Sequence, residues 1–516
     1  MKTRFSLYDF SKIAVNIFIF LLFCLAIVSA FFMFANILLS SGRQSFWGII
    51  ILLFILLIIF FFKKKCSLNV NKLSYNPKIV IIVFLLLFLV QVVMFSTISN
   101  NILFDAGAIY NGVFSTDKTD VTSYLSQWQN NFPLYVYENL IKNLFNLKTI
   151  TKQSHILYTI VNIINYDLGF IFIYLMVKKK YDSKIAIYSL FTCFLVLGLN
   201  NQMYQFYTTA LSWPATCFGL YLYVQIKDNS SWKACSFFSF IFGLTLAWGY
   251  FSRPSSIIYF IAIIIFEILH LKDNKLSFPR HVGIAVFLLC GFLSFCITFQ
   301  FVSKPYELPL NENKNAVMTQ YLAYGITGTG AGTPEVRTAI ESASSKEVRN
   351  EVALSIWKSE LKKIGPSGYF RFLLKKHMEE TKDGTYSLKN PHIKEHYSSN
   401  PLILFLQNIW YSNGKYVNIT AILMQFIYLL LLFGVLLSIR SNDNLSFVLK
   451  LSLLGWHMFL LIFEGARTGY TIQAFPVMIP LAILGFMSLR KQNTSPFYEK
   501  IFDFKLKLML YPSNKQ

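Results

Sequence analysis

Charged residues are scarce in this sequence, and acidic residues are the scarcest of them. Only 14% of its 516 residues are charged, with 25 acidic against 47 basic side chains and a net charge of +22. Hydrophobic residues make up 55% of the chain and aromatic residues 17%. This composition excludes an ordinary soluble protein and predicts a polytopic membrane protein. The basic residues are spread over loops on both sides, which indicates orientation and contact with membrane lipid, and no nucleic-acid partner.

Cysteine is infrequent too, and its placement excludes whole classes of site. All seven cysteines lie in apolar runs or in segments predicted to face inward: Cys24, Cys66, Cys193, Cys217, Cys235, Cys290 and Cys296. A disulfide framework is therefore excluded, and no Cys/His metal spacing occurs. The sequence implies no cofactor; a divalent metal is left open without support from any motif. Gly328-x-Gly330-x-Gly332 lacks the following Lys-Ser/Thr of a phosphate-binding loop, so we interpret it as a turn.

Long apolar runs are what the sequence has in abundance. Roughly 20 residues cross ~30 Å of hydrocarbon as a helix, the form that satisfies its own backbone hydrogen bonds. We predict an all-α protein with about twelve transmembrane helices and no cleaved signal peptide, because the first run is long and a second follows at once. The predicted spans are residues 13–39, 46–62, 79–97, 155–177, 185–199, 207–226, 234–251, 255–271, 281–302, 417–439, 445–464 and 471–489.

Lysine clusters orient these spans. Lys63–Lys65 and Lys178–Lys180 follow the second and fourth runs, which places those loops and both chain ends inside. We expect a multi-pass protein of a plasma membrane, of bacterial type, with its active face outside. The predicted divisions are two first helices with an inner loop (1–78), a transmembrane core (79–302) with a first outer loop (98–152), a large outer loop (303–413), C-terminal helices (414–489) and a basic tail (490–516).

Both outer loops contain helix signals. Pro133 is a good first residue for a helix, Thr333-Pro334 is another start, and Gly365-Pro366 is a stop. The helix after Gly365 has apolar residues opposite Lys375, Lys376, Glu379 and Glu380, so we expect it to lie in the membrane interface with these charges facing water.

Asp105 is the candidate catalytic residue of the first outer loop. It directly follows the third span, where a carboxylate reaches both water and a membrane-borne substrate, and it could act as a general base. The alternative is a solvated carboxylate at a helix end. Asp117 and Asp120, deeper in the loop, are interpreted as solvated.

Two arginines lie at outer ends of predicted spans. Arg467 follows Glu464 by three residues, and Arg253 follows the seventh span. Either could bind a phosphate through its bidentate donors. The alternatives are an ion pair with Glu464 for Arg467 and headgroup contact for Arg253. Asp167, inside the fourth span, is either a relay or a hydrogen-bonded group of the bundle.

Several segments resemble one enzyme superfamily. They are Asp105 after a span, Tyr124 through QWQNNFP, FYTTALSWP (206–214), Arg253-Pro254, GPSGYFRFLLKKHMEETKDGTY (365–386) and FEGARTGY (463–470). Together they are similar to the GT-C glycosyltransferases, in particular to a family 39-like, Gram-positive-like group related to protein O-mannosyltransferases and aminoarabinose transferases. The resemblance covers most of residues 79–490. Relatives often carry an acid in the second outer turn; residues 202–210 have none.

The resemblance implies a role for each matching residue. It implies a GT-C-like fold, a sugar donor on a polyprenyl monophosphate and an inverting reaction with Asp105 as base. Arg467, Arg253, Lys376 and His377 would meet the donor phosphate. The residues implied to position the substrate are Tyr124, Asn130, Asn131 and Glu464.

The sequence thus favours a glycosyltransferase acting on a cell-surface glycopolymer or glycolipid. An outer enzyme has no access to cytosolic nucleotide sugars, so its donor comes through lipid. One alternative is a transporter or flippase of lipid-linked sugars, which would need a polar path across the membrane. The other is a non-catalytic subunit of a surface-polymer assembly complex.

Overall fold

The computed structural model describes residues 7–65, 77–270, 278–390, 393–463, 465 and 467–489. The predicted basic tail and most of the inner loop after Lys65 lie outside these ranges. Nineteen α-helices, and no β-strand, form in the described residues. They are α1 Leu7–Ser40, α2 Arg43–Lys65, α3 Pro77–Ile98, α4 Phe104–Phe114, α5 Thr119–Gln127, α6 Phe132–Leu144, α7 Lys152–Lys180, α8 Ser183–Cys193, α9 Thr208–Asp228, α10 Trp232–Ser252, α11 Ile257–Leu269, α12 Phe278–Ser303, α13 Met318–Ile326, α14 Pro334–Glu341, α15 Lys346–Thr381, α16 Pro401–Trp410, α17 Val417–Leu437, α18 Asn444–Phe463 and α19 Phe475–Ser488.

Each of the twelve predicted spans coincides with a helix of the described residues. Eight helices of the described chain are long and apolar enough to cross a membrane: α1, α3, α7, α10, α12, α17, α18 and α19. The other predicted spans coincide with α2, α8 and its π-helical extension to Gly198, α9 and α11. The all-α, polytopic class is therefore confirmed.

Apolar side chains cover the outside of the bundle as well as its inside. On α1, α3 and α12, Phe31 is 59% exposed, Leu86 57% and Phe301 73%. Trp456 of α18 and Phe475 of α19 are instead fully buried. Exposed apolar faces of this extent are stable only against lipid, so these peripheral helices form the membrane-facing surface and α18 and α19 the core.

Glycine lets α10 and α12 pack with their backbones almost in contact. A Cβ atom added to Gly243 would lie 2.0 Å from the Leu288 carbonyl oxygen, and one added to Gly291 would lie 2.0 Å from that of Phe240. Small residues permit such close helix crossings in membranes, where packing rather than water exclusion drives association.

Local signals predicted the outer-loop helices well. Pro133 lies in the first turn of α6, and the Thr333 side chain accepts a hydrogen bond from the Val336 amide to cap α14. α15 is broken at Gly365, whose φ of 64° and ψ of 173° are not helical. A glycine adopts that conformation without the steric cost that a Cβ brings, so the predicted stop is confirmed.

Candidate active site

Four segments bring the candidate residues to the same end of the bundle. They are the start of α4 just after α3, the turn before α9, the turn after α10 and the turn after α18. Antiparallel spans alternate in direction, so a helix end leading out of one span lies beside the start of the next. The orientation predicted from the lysine clusters places all four segments outside.

Asp105 is the second residue of α4 and lies in its first turn. The preceding Phe104 has a φ of 57°, an uncommon conformation for a residue with a side chain. Asp105 as a whole residue is exposed. Its carboxylate nevertheless lies against protein groups, and burial raises the pKa of Asp105 above its ordinary value of 3.8. A raised pKa makes a carboxylate a stronger base once it is ionised.

Three neighbours of Asp105 lower the same pKa without cancelling the effect of burial. The positive charge of Arg467 is the largest of them, followed by hydrogen bonds from the hydroxyls of Tyr124 and Tyr207. Burial in turn raises the pKa of both phenols, which therefore stay protonated and serve as donors. The carboxylate thus faces one cation and two hydroxyl groups.

Asn131 joins the two phenols. Its amide nitrogen donates to the Tyr124 hydroxyl at 2.7 Å, and a hydrogen bond between Asn131 and Tyr207 lowers the pKa of that phenol. Asn131 is only 3% exposed, and its side-chain oxygen has no hydrogen-bond partner among the described residues. The short turn Gln129–Asn131 therefore orients Tyr124 through the side chain of Asn131. Asn130, in the same turn, is exposed.

Arg253 lies where α10 ends and is half-buried. Its guanidinium donates to the Thr209 hydroxyl at 3.1 Å and lies 5.2 Å from the centre of the Tyr470 ring. Its charge also lowers the pKa of Tyr207, so it belongs to the same cluster as Asp105. Arg467 is exposed, and its carbonyl accepts the Tyr470 amide at 3.1 Å. Both arginines therefore contact Tyr470, Arg253 at its ring and Arg467 through its main chain.

Unlike the two arginines, Lys376 and His377 are buried and contact main-chain carbonyls. Lys376 is 1% exposed, and its ammonium donates to the carbonyls of Gly325 at 3.1 Å and Leu461 at 2.9 Å. The His377 ring lies 5.1 Å from that of His457 and within hydrogen-bond distance of the Leu22 carbonyl, at 2.9 Å. These contacts join the outer helix α15 to α1, α13 and α18.

One expectation about α15 was wrong. Lys376 and Glu380 were predicted to face water, but they are 1% and 0% exposed. Their neighbours Lys375 and Glu379 are exposed as predicted. The reason is that this end of α15 packs against α1 and α18 as well as α13, so two of its faces are covered.

Two candidate residues, Glu464 and Asp167, have no described contact with the Asp105 cluster. Glu464 lies outside the described residues. Asp167 accepts a hydrogen bond from Gln91 at 3.3 Å, and its second oxygen has no hydrogen-bond partner in the described chain. Within the described ranges, no three His, Cys, Asp or Glu side chains come together as a metal site.

Tyr207, Thr209 and Tyr470 belong to the cluster although the sequence did not single them out as site residues. All three lie in segments that carried the resemblance, FYTTALSWP and FEGARTGY. A polar or aromatic residue next to a span is common, and only the contacts with Asp105 and Arg253 distinguish these three.

Comparisons with known proteins give a matching family model and distant structural similarities, including two to solved structures. The archaeal oligosaccharyltransferase AglB from Archaeoglobus fulgidus, solved with an inhibitory peptide and a dolichol-phosphate, aligns with a TM-score of 0.38 and 12% identity over 84% of this chain. The chain spans about half of AglB, 52% of its length. ArnT from Cupriavidus metallidurans, in the apo state, aligns with a TM-score of 0.32 and 10% identity, over 79% of this chain and 77% of ArnT.

A comparison with curated proteins gave no significant match. A family model for conserved hypothetical integral membrane proteins matches residues 7–489. That range contains every helix described above. The chain therefore belongs to this family of conserved hypothetical integral membrane proteins.

Proposed function

We propose that this protein is an extracytoplasmic glycosyltransferase that moves a sugar from a polyprenyl-monophosphate donor to a cell-surface glycopolymer or glycolipid. The observation that carries the proposal is the cluster at one end of the bundle, where a carboxylate faces Arg467 and two phenols, with Arg253 beside them. A base and two cations at the mouth of a membrane bundle suit a reaction between a water-exposed hydroxyl and a lipid-borne phosphate ester.

The reaction follows from the groups present. Asp105 removes the proton of the acceptor hydroxyl, and the freed oxygen attacks the anomeric carbon. The bond from that carbon to the phosphate oxygen breaks, and its electron pair leaves with the polyprenyl phosphate. Attack from the face opposite the leaving group inverts the anomeric configuration.

The arginines stabilise the leaving group. Negative charge grows on the phosphate as the bond breaks, and a guanidinium donates two parallel hydrogen bonds to phosphate oxygens. Arg467 is exposed at the cluster, whereas Arg253 is fixed in place by Thr209 and Tyr470. We therefore assign Arg253 to a preformed phosphate position and Arg467 to closing over it.

An apolar crevice beside Arg253 supports a lipid-linked donor. It lies between α9, α10 and α11 and is lined by Gly219, Phe242, Leu246 and Tyr259, among others. Gly249 lines it, and the Gly249 carbonyl accepts the backbone amide of Arg253 at 2.8 Å, so the crevice extends along α10 toward the helix end where Arg253 lies. We propose that the prenyl chain of a donor whose phosphate binds Arg253 runs toward this apolar surface.

The test is binding of undecaprenyl phosphate to the purified full-length protein, measured by native mass spectrometry from nanodiscs. We expect a bound adduct that the double variant Arg253→Ala, Arg467→Ala loses while staying folded. Adduct formation that is equal in the double variant would refute the assignment.

A second measurement separates the enzyme from a flippase. In liposomes that contain the wild-type protein, a fluorescent polyprenyl phosphate should stay in its original leaflet. Protein-dependent translocation at a rate well above empty liposomes would favour the transporter. Asp167, with Gln91 beside it, would then be the group to vary first.

A further inference from the structure

A second cleft opens on the same side of the molecule as the Asp105 cluster. It measures about 660 Å³, within the ~300–1,000 Å³ range of small-molecule sites. It lies between the outer end of α3, the start of α7 and the segment that leads into α16. Its lining residues are Thr97, Ser99, Asn100, Asn101, Ile150, Thr151, Lys152, His155, His396, Tyr397, Ser398, Ser399, Gln407 and Tyr411.

Hydrogen bonds fix the walls of this cleft. Gln407 donates to the carbonyls of Thr97 at 3.3 Å and His396 at 3.1 Å, and accepts the Ser398 amide at 2.7 Å. Gln407 is itself 3% exposed. A buried amide that joins two segments more than 300 positions apart makes the cleft a built feature rather than a gap between mobile loops.

The cleft adjoins the proposed catalytic centre. Asn101 lines it and lies four residues before Asp105, which limits the separation of their Cα atoms to ~14 Å even for extended chain. His155, in contact with Asn101, stacks on Tyr110 of α4 with ring centroids 4.9 Å apart. Five residues of helix separate Tyr110 from Asp105, an axial rise of ~7.5 Å.

The lining selects the chemistry of the ligand. Hydroxyls, amides, imidazoles and phenols dominate, Lys152 is the single charged side chain among the lining residues, and Ile150 the single aliphatic one. Such a surface suits neither a phosphate nor a lipid chain. It suits a neutral molecule with many hydroxyl groups, each of which donates one hydrogen bond and accepts up to two.

Two exposed aromatic side chains of the cleft, Tyr397 and His396, are available to such a ligand. The Tyr397 ring is 40% exposed and packs edge-on against Tyr411, with centroids 5.2 Å apart. An exposed ring face of this kind stacks on the apolar face of a sugar. His155 is 5% exposed and its Nε2 lies 2.7 Å from the Asn101 side-chain oxygen, so this ring supports the wall of the cleft.

We infer that this cleft binds the acceptor as a neutral saccharide chain and directs its terminal hydroxyl toward Asp105. The inference rests on the proposed function for its last clause; saccharide binding by the cleft stands by itself. The distance bound of ~14 Å lets a short oligosaccharide occupy the cleft and present one end at the base. Tyr397 and His396 contribute binding, and Asp105 contributes chemistry.

The experiment is saturation-transfer NMR on the full-length protein in nanodiscs, with chitotriose, mannotriose and maltotriose as probes and a neutral hexapeptide as comparison. We expect saturation transfer to at least one trisaccharide. Tyr397→Ala and His396→Ala should each raise the Kd for that trisaccharide roughly tenfold, the effect of one lost aromatic or hydrogen-bonded contact. Both side chains are exposed, so folding should be unaffected.

Tyr306→Ala is the matched control. Tyr306 is another outer-loop tyrosine, outside the cleft, and its hydroxyl accepts the Asn143 amide at 2.8 Å. Absence of transfer to every trisaccharide, equal transfer in Tyr397→Ala, or transfer to the hexapeptide alone would overturn the inference.

Undecaprenyl phosphate binding is measured on the same samples. Saccharide binding without binding of this lipid would leave the cleft standing and refute the proposed donor. Lipid binding without saccharide binding would support the proposed donor and refute saccharide binding by the cleft.

Discussion

Replacing Asp105 by asparagine separates catalysis from folding more sharply than any other change. Asparagine keeps the size and polarity of the side chain but cannot take a proton from a hydroxyl. Loss of a general base lowers rates by a factor of ~10² to 10⁴. At about 1.36 kcal/mol per factor of ten, that is roughly 3–5 kcal/mol of lost transition-state stabilisation.

The effect on stability should be much smaller, for structural reasons. Asp105 is exposed and lies in the first turn of α4, where a negative charge interacts favourably with the helix dipole. Losing that interaction costs about 0.3–1 kcal/mol. Burial already disfavours the charge, which offsets part of this cost. The catalytic loss is therefore the larger effect.

The assay follows sugar transfer from a radiolabelled polyprenyl-phosphate sugar to membrane acceptor, alongside thermal unfolding and lipid binding. We expect Asp105→Asn to unfold within a few degrees of wild type, bind undecaprenyl phosphate and transfer sugar at least 100-fold more slowly. Asp117→Asn and Asp120→Asn, in the same loop, should keep normal rates. Near-normal turnover by Asp105→Asn would refute its role as base.

Three further predictions concern the surrounding residues. Arg467→Lys should weaken undecaprenyl phosphate binding by roughly tenfold because the planar fork is lost, while the exposed Arg371→Lys should not; equal affinity in both would remove Arg467 from the site. Lys376→Met leaves two carbonyls without their donor, so the free energy of unfolding should fall by about 1–3 kcal/mol, and the exposed Lys375→Met should show no such loss. Unchanged stability with lost lipid binding would instead make Lys376 a phosphate ligand. The rate of sugar transfer should fall as pH falls through the raised pKa of Asp105, because the base becomes protonated. Tyr124→Phe removes a hydrogen bond that lowers this pKa, so the loss of activity should begin at higher pH in that variant. A shift to lower pH would contradict the hydrogen bond between Tyr124 and Asp105.

The sequence predicted the spans because each is a local property. A run of about 20 apolar residues has one stable form in lipid, and lysine clusters mark its inner end. Helix starts and stops at Pro133, Thr333 and Gly365 were equally local, since each depends on one residue's own backbone or side chain.

What the sequence could not supply were contacts between distant segments. The burial of Lys376 depends on carbonyls contributed by Gly325 and Leu461, which nothing in the sequence around Lys376 indicates. Likewise, Asp105 and Arg467 were separate candidates, and only the fold brings the positive charge near the carboxylate. Of the two tyrosines beside Asp105, Tyr124 was implied only by the family resemblance, and Tyr207 had no signal beyond its place in a short motif.

The antiparallel pairing of the two outer loops has a consequence for protein engineering. Ile102 pairs with Ile393, and the Lys394 amide donates to the Asn101 carbonyl at 2.8 Å, so the link is made by main-chain atoms. Most side-chain substitutions leave such bonds intact, and proline is the exception because it has no amide hydrogen. The loops can thus diverge in sequence and still dock. A chimera that takes one loop from a relative should therefore take the segment that pairs with it too, because a donor loop of different length would shift the register and displace α4.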